Sequence, residues 1–109
     1  MSDALVRMVY TTASSENEAA QIARTVVEEQ LAACANIVPG IRSIYRWQGT
    51  VEDEMESLVF LKTAVTTVDR LIVRIRELHS YDVPDIVVVP IVNGHAPYLD
   101  WILENTTIG

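Results

Sequence analysis

Cysteine, long apolar runs and basic residues are all scarce in this chain, and each scarcity excludes a class of protein. Cys34 is the one cysteine among 109 residues, so neither an intrachain disulfide nor a site with several thiolate ligands can form. The longest apolar run, from Ile86 to Val92, is far shorter than the roughly 20 residues that a membrane-spanning helix needs. Eight Lys and Arg against fifteen Asp and Glu give a net charge of −7, which disfavours binding to nucleic acid and to anionic membranes.

Sequence motifs for nucleotide binding and for common catalysis are also absent. There is no P-loop, no glycine-rich dinucleotide fingerprint, no Cys-x-x-Cys pair and no nucleophile elbow. We therefore predict a binding protein rather than an enzyme. The first four residues do not resemble the start of a secretory signal, and together with the single cysteine this favours the cytoplasm.

Apolar residues, in contrast, make up 50% of the chain, which is a high share for its size. The length allows one domain, over residues 1–109, with one core and a large surface for its volume. Because no segment can span a membrane, the excess of apolar residues indicates that a partner subunit covers part of the surface.

Hydrophobic periodicity and turn signals divide the chain into four strands and three helices. We expect strands at residues 5–11, 34–47, 51–63 and 86–92, with an interruption of the second strand at Pro39-Gly40. The first helix begins with a capping box of Ser15 and Glu18 and should end near residue 33. The second helix carries an apolar stripe over residues 68–78 and should end at 79. A third helix begins near Pro97, with Tyr98, Trp101 and Ile102 on its apolar face.

This β-α-β-β-α-β order, followed by a terminal helix, predicts an α+β fold of the ferredoxin-like type, with helices on one face of the sheet. In that topology the second and fourth strands lie at the sheet edges, where Pro39 and Pro90 are tolerated. The fourth strand has no charge to prevent pairing with another chain. The hairpin of the second and third strands should extend about 20 Å beyond the rest of the sheet, at roughly 3.3 Å per residue. It would expose Ile44, Tyr45 and Trp47, so both features predict a homo-oligomer.

A series of short stretches, in order along nearly the full length of the chain, matches the pattern of one known family. The stretches are Thr12-Ala13, Leu31-Ala32-Ala33-Cys34-Ala35-Asn36-Ile37, Pro39-Gly40, Ser43-Ile44-Tyr45, Trp47, Gly49, Lys62-Thr63, Glu77-Leu78-His79, Tyr81, Val83-Pro84, Pro90, Gly94, Tyr98-Leu99 and Trp101. In these residues the chain resembles the CutA family, the divalent-cation-tolerance proteins. The resemblance implies a ferredoxin-like homotrimer in which the long hairpin embraces a neighbour, similar in build to the PII signalling proteins.

The chain departs from the family pattern at residues linked to copper. Some bacterial members of the family carry a cysteine at the end of the first strand and two adjacent histidines after the second helix, described as copper ligands. The corresponding positions here are Thr11 and the pair Leu78-His79, so one of three ligands is retained. Prolines that are usual in the family after Ala13 and His79 are serines here.

His79 is therefore the candidate metal ligand, for a divalent transition metal such as Cu(II). The simpler interpretation is that an imidazole at the end of a helix hydrogen-bonds to the last carbonyls. His95 is expected to be part of a turn. Cys34 is expected to behave as a small buried hydrophobic residue.

Lys62 interrupts an apolar stretch of the central third strand, and lysine is rarely buried without a partner. It either reaches solvent on the helix-free face of the sheet or lies in a cleft between subunits. In such a cleft, Lys62 with Tyr45 and Trp47 from the hairpin could bind a small anion. A three-residue turn at Gln48–Thr50 would place Lys62 opposite Asn36, whereas a two-residue turn would place it opposite residue 35.

The acidic residues at 52, 53, 54 and 56 could in principle hold a hard cation. Strand alternation separates Asp53 from the other three, so we predict a solvated hairpin face instead. The Thr11-to-Ser15 segment before the first helix could hold an anion, but helix capping explains it more simply.

Three functions are compatible with these features. The first is a trimeric cytoplasmic CutA-family protein that binds divalent transition metals weakly. The second is a PII-like regulatory module that binds a small metabolite between subunits. The third is a scaffold that docks on other proteins and has no ligand cleft.

Overall fold

The computed structural model describes residues 5–106, which form a four-stranded antiparallel sheet and three helices. The sheet order is β2-β3-β1-β4, so β2 and β4 lie at the edges as predicted. Every helix within residues 5–106 is too short or too polar to span a bilayer. The elements are β1 (Val6–Ala13), α1 (Glu16–Glu28), β2 (Cys34–Trp47), β3 (Thr50–Ala64), a 3-10 turn (Val65–Thr67), α2 (Val68–Leu78), β4 (Val87–Pro90) and α3 (Ala96–Glu104).

Helices α1 and α2 cover one face of the sheet and form the main core with it. The sheet contributes alternate residues of its two central strands, including Val9, Val59 and Leu61, all fully buried. Because successive side chains of a strand point to opposite faces, these residues all face the helices. The predicted apolar stripes are confirmed at Ala19, Ile22, Ala23 and Val26 of α1 and at Leu71 and Ile75 of α2, which are all buried.

Helix α3 packs at one end of the opposite face of the sheet. Leu99 and Ile102 are buried there with Val6 and Ala33. The expectation that the helices lie on one face of the sheet was therefore wrong for α3, whose predicted apolar face includes the buried Ile102. Tyr98 and Trp101 are each 39% exposed and stack on each other, with ring centroids 5.6 Å apart. Further along the same face of the sheet, alternation places aromatic and aliphatic side chains that are only partly covered, namely Tyr10, Val38, Phe60 and Val87.

The end of α1 differs from the prediction, since the helix stops at Glu28 rather than near residue 33. Gln30 has a positive φ of 60°, and its N–H donates to the carbonyl of Val27. The N–H of Leu31 donates to the carbonyl of Val26. This is a Schellman motif, in which glycine usually occupies the left-handed position. Because glutamine occupies it here, the sequence carries no clear stop signal.

The outer strands also differ from prediction in length. β1 extends to Ala13 because it stays paired with β3 as far as Ser57. β4 has four residues rather than seven, since its pairing with β1 reaches only from Val87 to Pro90.

The hairpin of β2 and β3 turns through two residues, Gln48 and Gly49, rather than three, and both have a positive φ. A bulge lies between Val38 and Ile41, where Gly40 has a φ of 69°. The bulge shifts the register by one residue, so Lys62 pairs with Cys34. Both registers expected from the turn length alone were therefore wrong.

The hairpin extends well beyond the other strands, as predicted. β1 pairs with β3 up to Ser57, and residues 50–56 pair with β2 alone. These seven residues span about 23 Å at roughly 3.3 Å per residue. We call this part, residues 41–56, the hairpin arm.

Candidate functional site

His79 lies at the C-terminal end of α2 with its side chain fully buried. Its Nδ1 accepts a hydrogen bond from the N–H of Tyr81 at 3.1 Å, and the ring contacts the Tyr81 ring with centroids 4.6 Å apart. Because Nδ1 is an acceptor, Nε2 carries the proton and donates to the carbonyl of Thr12 at 2.7 Å. Both ring nitrogens are thus engaged, so a metal ion would have to replace one of these hydrogen bonds. Metal binding at His79 stays a prediction.

Glu18 connects the start of α1 to the loop that follows His79. Its Oε1 accepts hydrogen bonds from the N–H and hydroxyl of Ser14, and its Oε2 accepts one from the N–H of Ser80 at 2.8 Å. Burial raises the pKa of Glu18, but the hydrogen bonds from Ser80 and Ser14 outweigh it and lower the pKa to about 2. Oε2 also lies 3.9 Å from Nδ1 of His79.

Ser14 and Ser80 stand where prolines are usual in the family that the chain resembles. Both donate their backbone N–H to Glu18, which a proline cannot do. The two serines therefore have a structural role that the sequence did not reveal. We call the contact of Glu18 with Ser14 and Ser80 the Glu18 latch.

The loop at residues 80–85 is fixed to the sheet by two more contacts. The hydroxyl of Tyr81 donates to Oε2 of Glu56 at 2.6 Å. Burial and this hydrogen bond raise the pKa of Tyr81. Asp85 accepts hydrogen bonds from the N–H and the hydroxyl of Thr12.

Between this loop and the hairpin arm lies a cavity of about 600 Å³, which we call the acidic–aromatic groove. Tyr45 and Trp47 are 41% and 49% exposed in the isolated chain, whereas Glu56 is only 8% exposed. Partial burial, with the charges of Glu54, Glu56 and Glu52, raises the pKa of Tyr45. The lining of the acidic–aromatic groove includes three aromatic and three acidic residues, Tyr45, Trp47, Tyr81, Glu56, Asp82 and Asp85.

Lys62 lies on the sheet face opposite α1 and α2, which was expected to be free of helices. That expectation was wrong, because α3 packs on this face and Lys62 is half-buried beside it. Its Nζ is 3.3 Å from Oδ1 of Asn36 and 3.3 Å from the hydroxyl of Tyr98, and 5.4 Å from the centre of the Tyr98 ring. The same hydroxyl lies 3.4 Å from Sγ of Cys34. The hydrogen bond with Cys34 and burial raise the pKa of Tyr98, against the opposing effect of Lys62. Within residues 5–106, Lys62 contacts neutral acceptors and forms no ion pair.

One chain does not bring Lys62 together with Tyr45 and Trp47. Tyr45 pairs with Glu52, which precedes Lys62 by ten residues on β3, or about 33 Å at roughly 3.3 Å per residue. A site containing all three residues would need a second copy of the chain. The cleft between subunits therefore stays a prediction.

The remaining candidate residues have other environments. Cys34 is half-buried rather than enclosed, contrary to expectation. His95 occupies the position before α3, where its backbone carbonyl accepts hydrogen bonds from Tyr98 and Leu99, and its side chain is exposed. Asp53 binds Arg42 through two hydrogen bonds of 2.8 and 2.7 Å. Within residues 5–106, no three metal-ligating side chains are grouped to hold an ion.

Sequence reasoning missed Glu18, Tyr81 and Glu56 as parts of a polar network. Glu18 entered only as the second residue of the capping box. One half of that box forms, since the Glu18 N–H bonds to the Ser15 hydroxyl at 3.1 Å, but the Glu18 carboxylate binds Ser14 and Ser80 instead of the Ser15 N–H. Ser80 is 62 positions from Glu18, and Tyr81 is 25 positions from Glu56, so no local pattern could have paired them.

Known proteins match this chain over almost its whole length. The model of the family described as "CutA1 divalent ion tolerance protein" matches residues 7–105. The "Divalent-cation tolerance protein CutA" of Thermus thermophilus is 50% identical over 99 residues, which are 91% of this chain and 96% of that protein. "Protein CutA, chloroplastic" of Arabidopsis thaliana is 38% identical over 91% of this chain, which spans only 54% of that longer protein.

A solved structure agrees with these matches. The divalent cation tolerance protein (Cut A1) from Thermus thermophilus superposes with a TM-score of 0.91 at 49% identity, covering 94% of this chain and 99% of the other. The resemblance read from the sequence is confirmed, and this family is not known for enzymatic activity. The chain belongs to the CutA1 divalent ion tolerance protein family.

Proposed function

We propose that this chain is a homotrimeric protein of divalent-cation tolerance that binds a transition metal such as Cu(II) weakly. The observation that carries the proposal is the match to the tolerance protein of Thermus thermophilus, which covers 96% of that relative. The trimer is supported by the hairpin arm, whose apolar side chains reach solvent in a single chain. Ile44 is 64% exposed, Met55 62% and Val51 59%.

The metal part of the proposal depends on His79 and predicts low affinity. Imidazole is a good ligand for Cu(II), but both nitrogens of His79 already hold hydrogen bonds. The buried Thr11 offers no thiolate, and Leu78 offers no second imidazole. Residues 5–106 of one chain therefore lack the ligands for tight copper binding at His79, although three copies of His79 could converge in an assembly.

Isothermal titration with Cu(II) in a non-chelating buffer tests this part. We expect binding weaker than about 1 μM in the wild type, because one imidazole with weak additional ligands holds copper loosely. His79→Ala should abolish the binding, whereas His95→Ala, which changes an exposed histidine, should preserve it. Circular dichroism should confirm that both variants remain folded.

Two other results would contradict the proposed metal site. Submicromolar affinity in His79→Ala would mean that the metal binds elsewhere, for example at the acidic hairpin or Cys34. Tight binding at one ion per three chains would instead indicate a shared site on the trimer axis.

A PII-like regulatory module is the second candidate function, and Lys62 favours it. Lys62 is a cation with two neutral partners on the sheet face that α3 leaves partly open. An anionic metabolite held between subunits would neutralise it, with Tyr45 and Trp47 supplied by another copy. Native mass spectrometry of the purified protein tests this function, because a bound anion lost in Lys62→Met would support it.

We propose the cytoplasm as the compartment, on the basis of the single cysteine and the composition. Cell fractionation with an antibody to the chain tests this, since the Arabidopsis relative is named as chloroplastic.

A further inference from the structure

We propose that Asn93 is a site of slow covalent modification, in which its side chain cyclises onto the backbone nitrogen of Gly94, loses ammonia and becomes a mixture of aspartate and isoaspartate. The change acts on helix α3, which follows directly along the chain. It involves neither the metal site at His79 nor the anion site at Lys62, so its failure and theirs are separate results.

Asn93 and Gly94 belong to the segment that joins β4 to α3. Both residues are exposed, and residues 91–95 lie outside the helices and strands of the described chain. The N–H of Ile91 donates to the carbonyl of Val6, at the start of β1, whereas the hairpin arm extends beyond the other end of β1. The segment is therefore at the end of the sheet opposite to the arm of its own chain, and the reaction needs water rather than an open cavity.

The hydrogen bond between the two residues brings the reacting atoms together. The N–H of Gly94 donates to Oδ1 of Asn93 at 2.8 Å. Cγ is bonded to Oδ1 and so lies close to the same nitrogen, as a near-attack arrangement requires. The last torsion of an asparagine side chain is broad, so a modest rotation turns the face of Cγ towards the nitrogen. Gly94 has no Cβ to obstruct that approach.

The reaction balances with water as its co-reactant. The Gly94 nitrogen loses its proton to solvent and bonds to Cγ of Asn93, while the bond from Cγ to the side-chain nitrogen breaks and that nitrogen takes up a proton and leaves as ammonia. The product is a five-membered cyclic imide. Water that cleaves the imide at Cγ gives aspartate at position 93. Water that cleaves it at the main-chain carbonyl gives isoaspartate, in which the backbone runs through Cγ.

Two other asparagines are held in arrangements that oppose this reaction. The backbone N–H that follows Asn17 belongs to Glu18 and donates to the Ser15 hydroxyl, in the first turn of α1. The side chain of Asn36 is engaged by Lys62, whose Nζ donates to its Oδ1. Both residues are exposed, so they are internal controls that share the solvent but not the geometry.

Gly94 packs closely on α3, so a change in its backbone reaches the small core beneath that helix. A Cβ at Gly94 would lie 3.1 Å from Cδ2 of Leu99, so the segment has little room to move towards the helix. Leu99 is 6% exposed and packs with Val6, Ala33 and Ile102. Isoaspartate inserts one extra atom into the backbone just before Gly94, and a closely packed core responds to a change of one methylene. The modification should therefore loosen α3 from the sheet.

Incubation of the assembled wild-type protein at neutral pH, followed by peptide mapping with mass spectrometry, tests the proposal. Loss of ammonia at Asn93 should be at least about tenfold faster than at Asn17 or Asn36, because a misplaced nucleophile reacts far more slowly. A pH higher by one unit should accelerate the reaction about tenfold, because the reacting nitrogen must lose its proton. Fragmentation of the N–Cα bonds distinguishes isoaspartate from aspartate.

Two variants separate the parts of the proposal. Asn93→Gln keeps an exposed amide but cannot form a five-membered ring, so the loss of ammonia should fall at least about tenfold. Asn93→Asp has the charge of the product without the extra backbone atom. Hydrogen exchange of the α3 amides should be at least about threefold faster in the isoaspartate form of the wild type than in fresh protein, and less than about twofold faster in Asn93→Asp.

Three outcomes would overturn the proposal. Equal rates of ammonia loss at Asn93, Asn17 and Asn36 would show that the hydrogen bond to Gly94 does not favour ring closure. Loss at Asn93 in unfolded protein alone would show that the folded segment, or another copy that covers it, blocks the reaction. Unchanged exchange of the α3 amides in the isoaspartate form would exclude the effect on the helix.

Discussion

The two halves of the long hairpin differ sharply in how their side chains are covered. In the half that pairs with β1, Val59 and Leu61 are fully buried beneath α1 and α2. In the hairpin arm, which begins only a few residues away on the same strands, Met55 is 62% exposed and Ile44 64%. In the first half, the helices of the same chain cover the apolar side chains. In the hairpin arm, the side chains are also apolar, but no helix of the same chain covers them.

This difference separates stability of the chain from stability of the assembly. Changes under the helices should unfold the chain at any concentration, whereas changes in the hairpin arm should act mainly on association. Three mutational tests examine this separation, in order of expected size.

The largest effect is expected for Leu61→Ala. Removal of a fully buried leucine should lower the free energy of unfolding by about 3–5 kcal/mol. Met55→Ala, on the same strand but 62% exposed in the isolated chain, should cost less, about 1–2 kcal/mol, because only contacts with another copy are lost. Urea titration of the assembled protein monitored by circular dichroism measures both. Similar losses in the two variants would show that the hairpin arm belongs to the same core.

Trp47→Ala, in the hairpin arm, should weaken the association of the subunits. About half of the Trp47 side chain is still exposed in the isolated chain, and covering it should contribute about 3 kcal/mol per chain. Glu54→Ala is the control, because an exposed charge usually contributes less than about 0.5 kcal/mol. Analytical ultracentrifugation over a dilution series measures the assembly. If both variants dissociate at the same concentration as the wild type, Trp47 does not lie in an interface.

The smallest effect, and the one that depends on pH, is expected at the Glu18 latch. The pKa of Glu18 is lowered from 4.5 to about 2 in the folded chain, so its stabilisation is complete above pH 4.5 and is lost as the pH falls towards 2. Glu18→Gln should therefore cost about 2 kcal/mol at pH 7 and progressively less below pH 4.5.

Glu54→Gln serves as the control for the latch, because the carboxylate of Glu54 is exposed. Urea titrations of both variants and the wild type at several pH values measure the effect. A cost of Glu18→Gln that stayed constant from pH 7 to pH 3 would contradict the ionised latch.

Much of this architecture could be predicted from the sequence because it follows from short-range patterns. The apolar stripe of α1, the edge positions of β2 and β4, and the overhang of the hairpin arm all follow from periodicity, proline positions and strand length. The family match likewise depends on short contiguous segments that can be read directly from the sequence, such as the segment from Leu31 to Ile37.

The errors occurred where backbone geometry or distant contacts decide the structure. The end of α1 depends on a left-handed Gln30, and the partner of Lys62 depends on a bulge at Gly40 that shifts the register after the turn. The Glu18 latch joins residues 62 positions apart, and the acidic–aromatic groove joins the hairpin arm to the loop at residues 80–85. Periodicity carries no information about such pairs.

The central claim is that the hairpin arm is completed by other copies of the chain, and the molar mass in solution tests it most directly. Multi-angle light scattering should give three times the chain mass of 12.2 kDa at micromolar concentration, without a folded monomer. A folded species of 12.2 kDa at that concentration, with circular dichroism showing intact strands and helices, would contradict the claim.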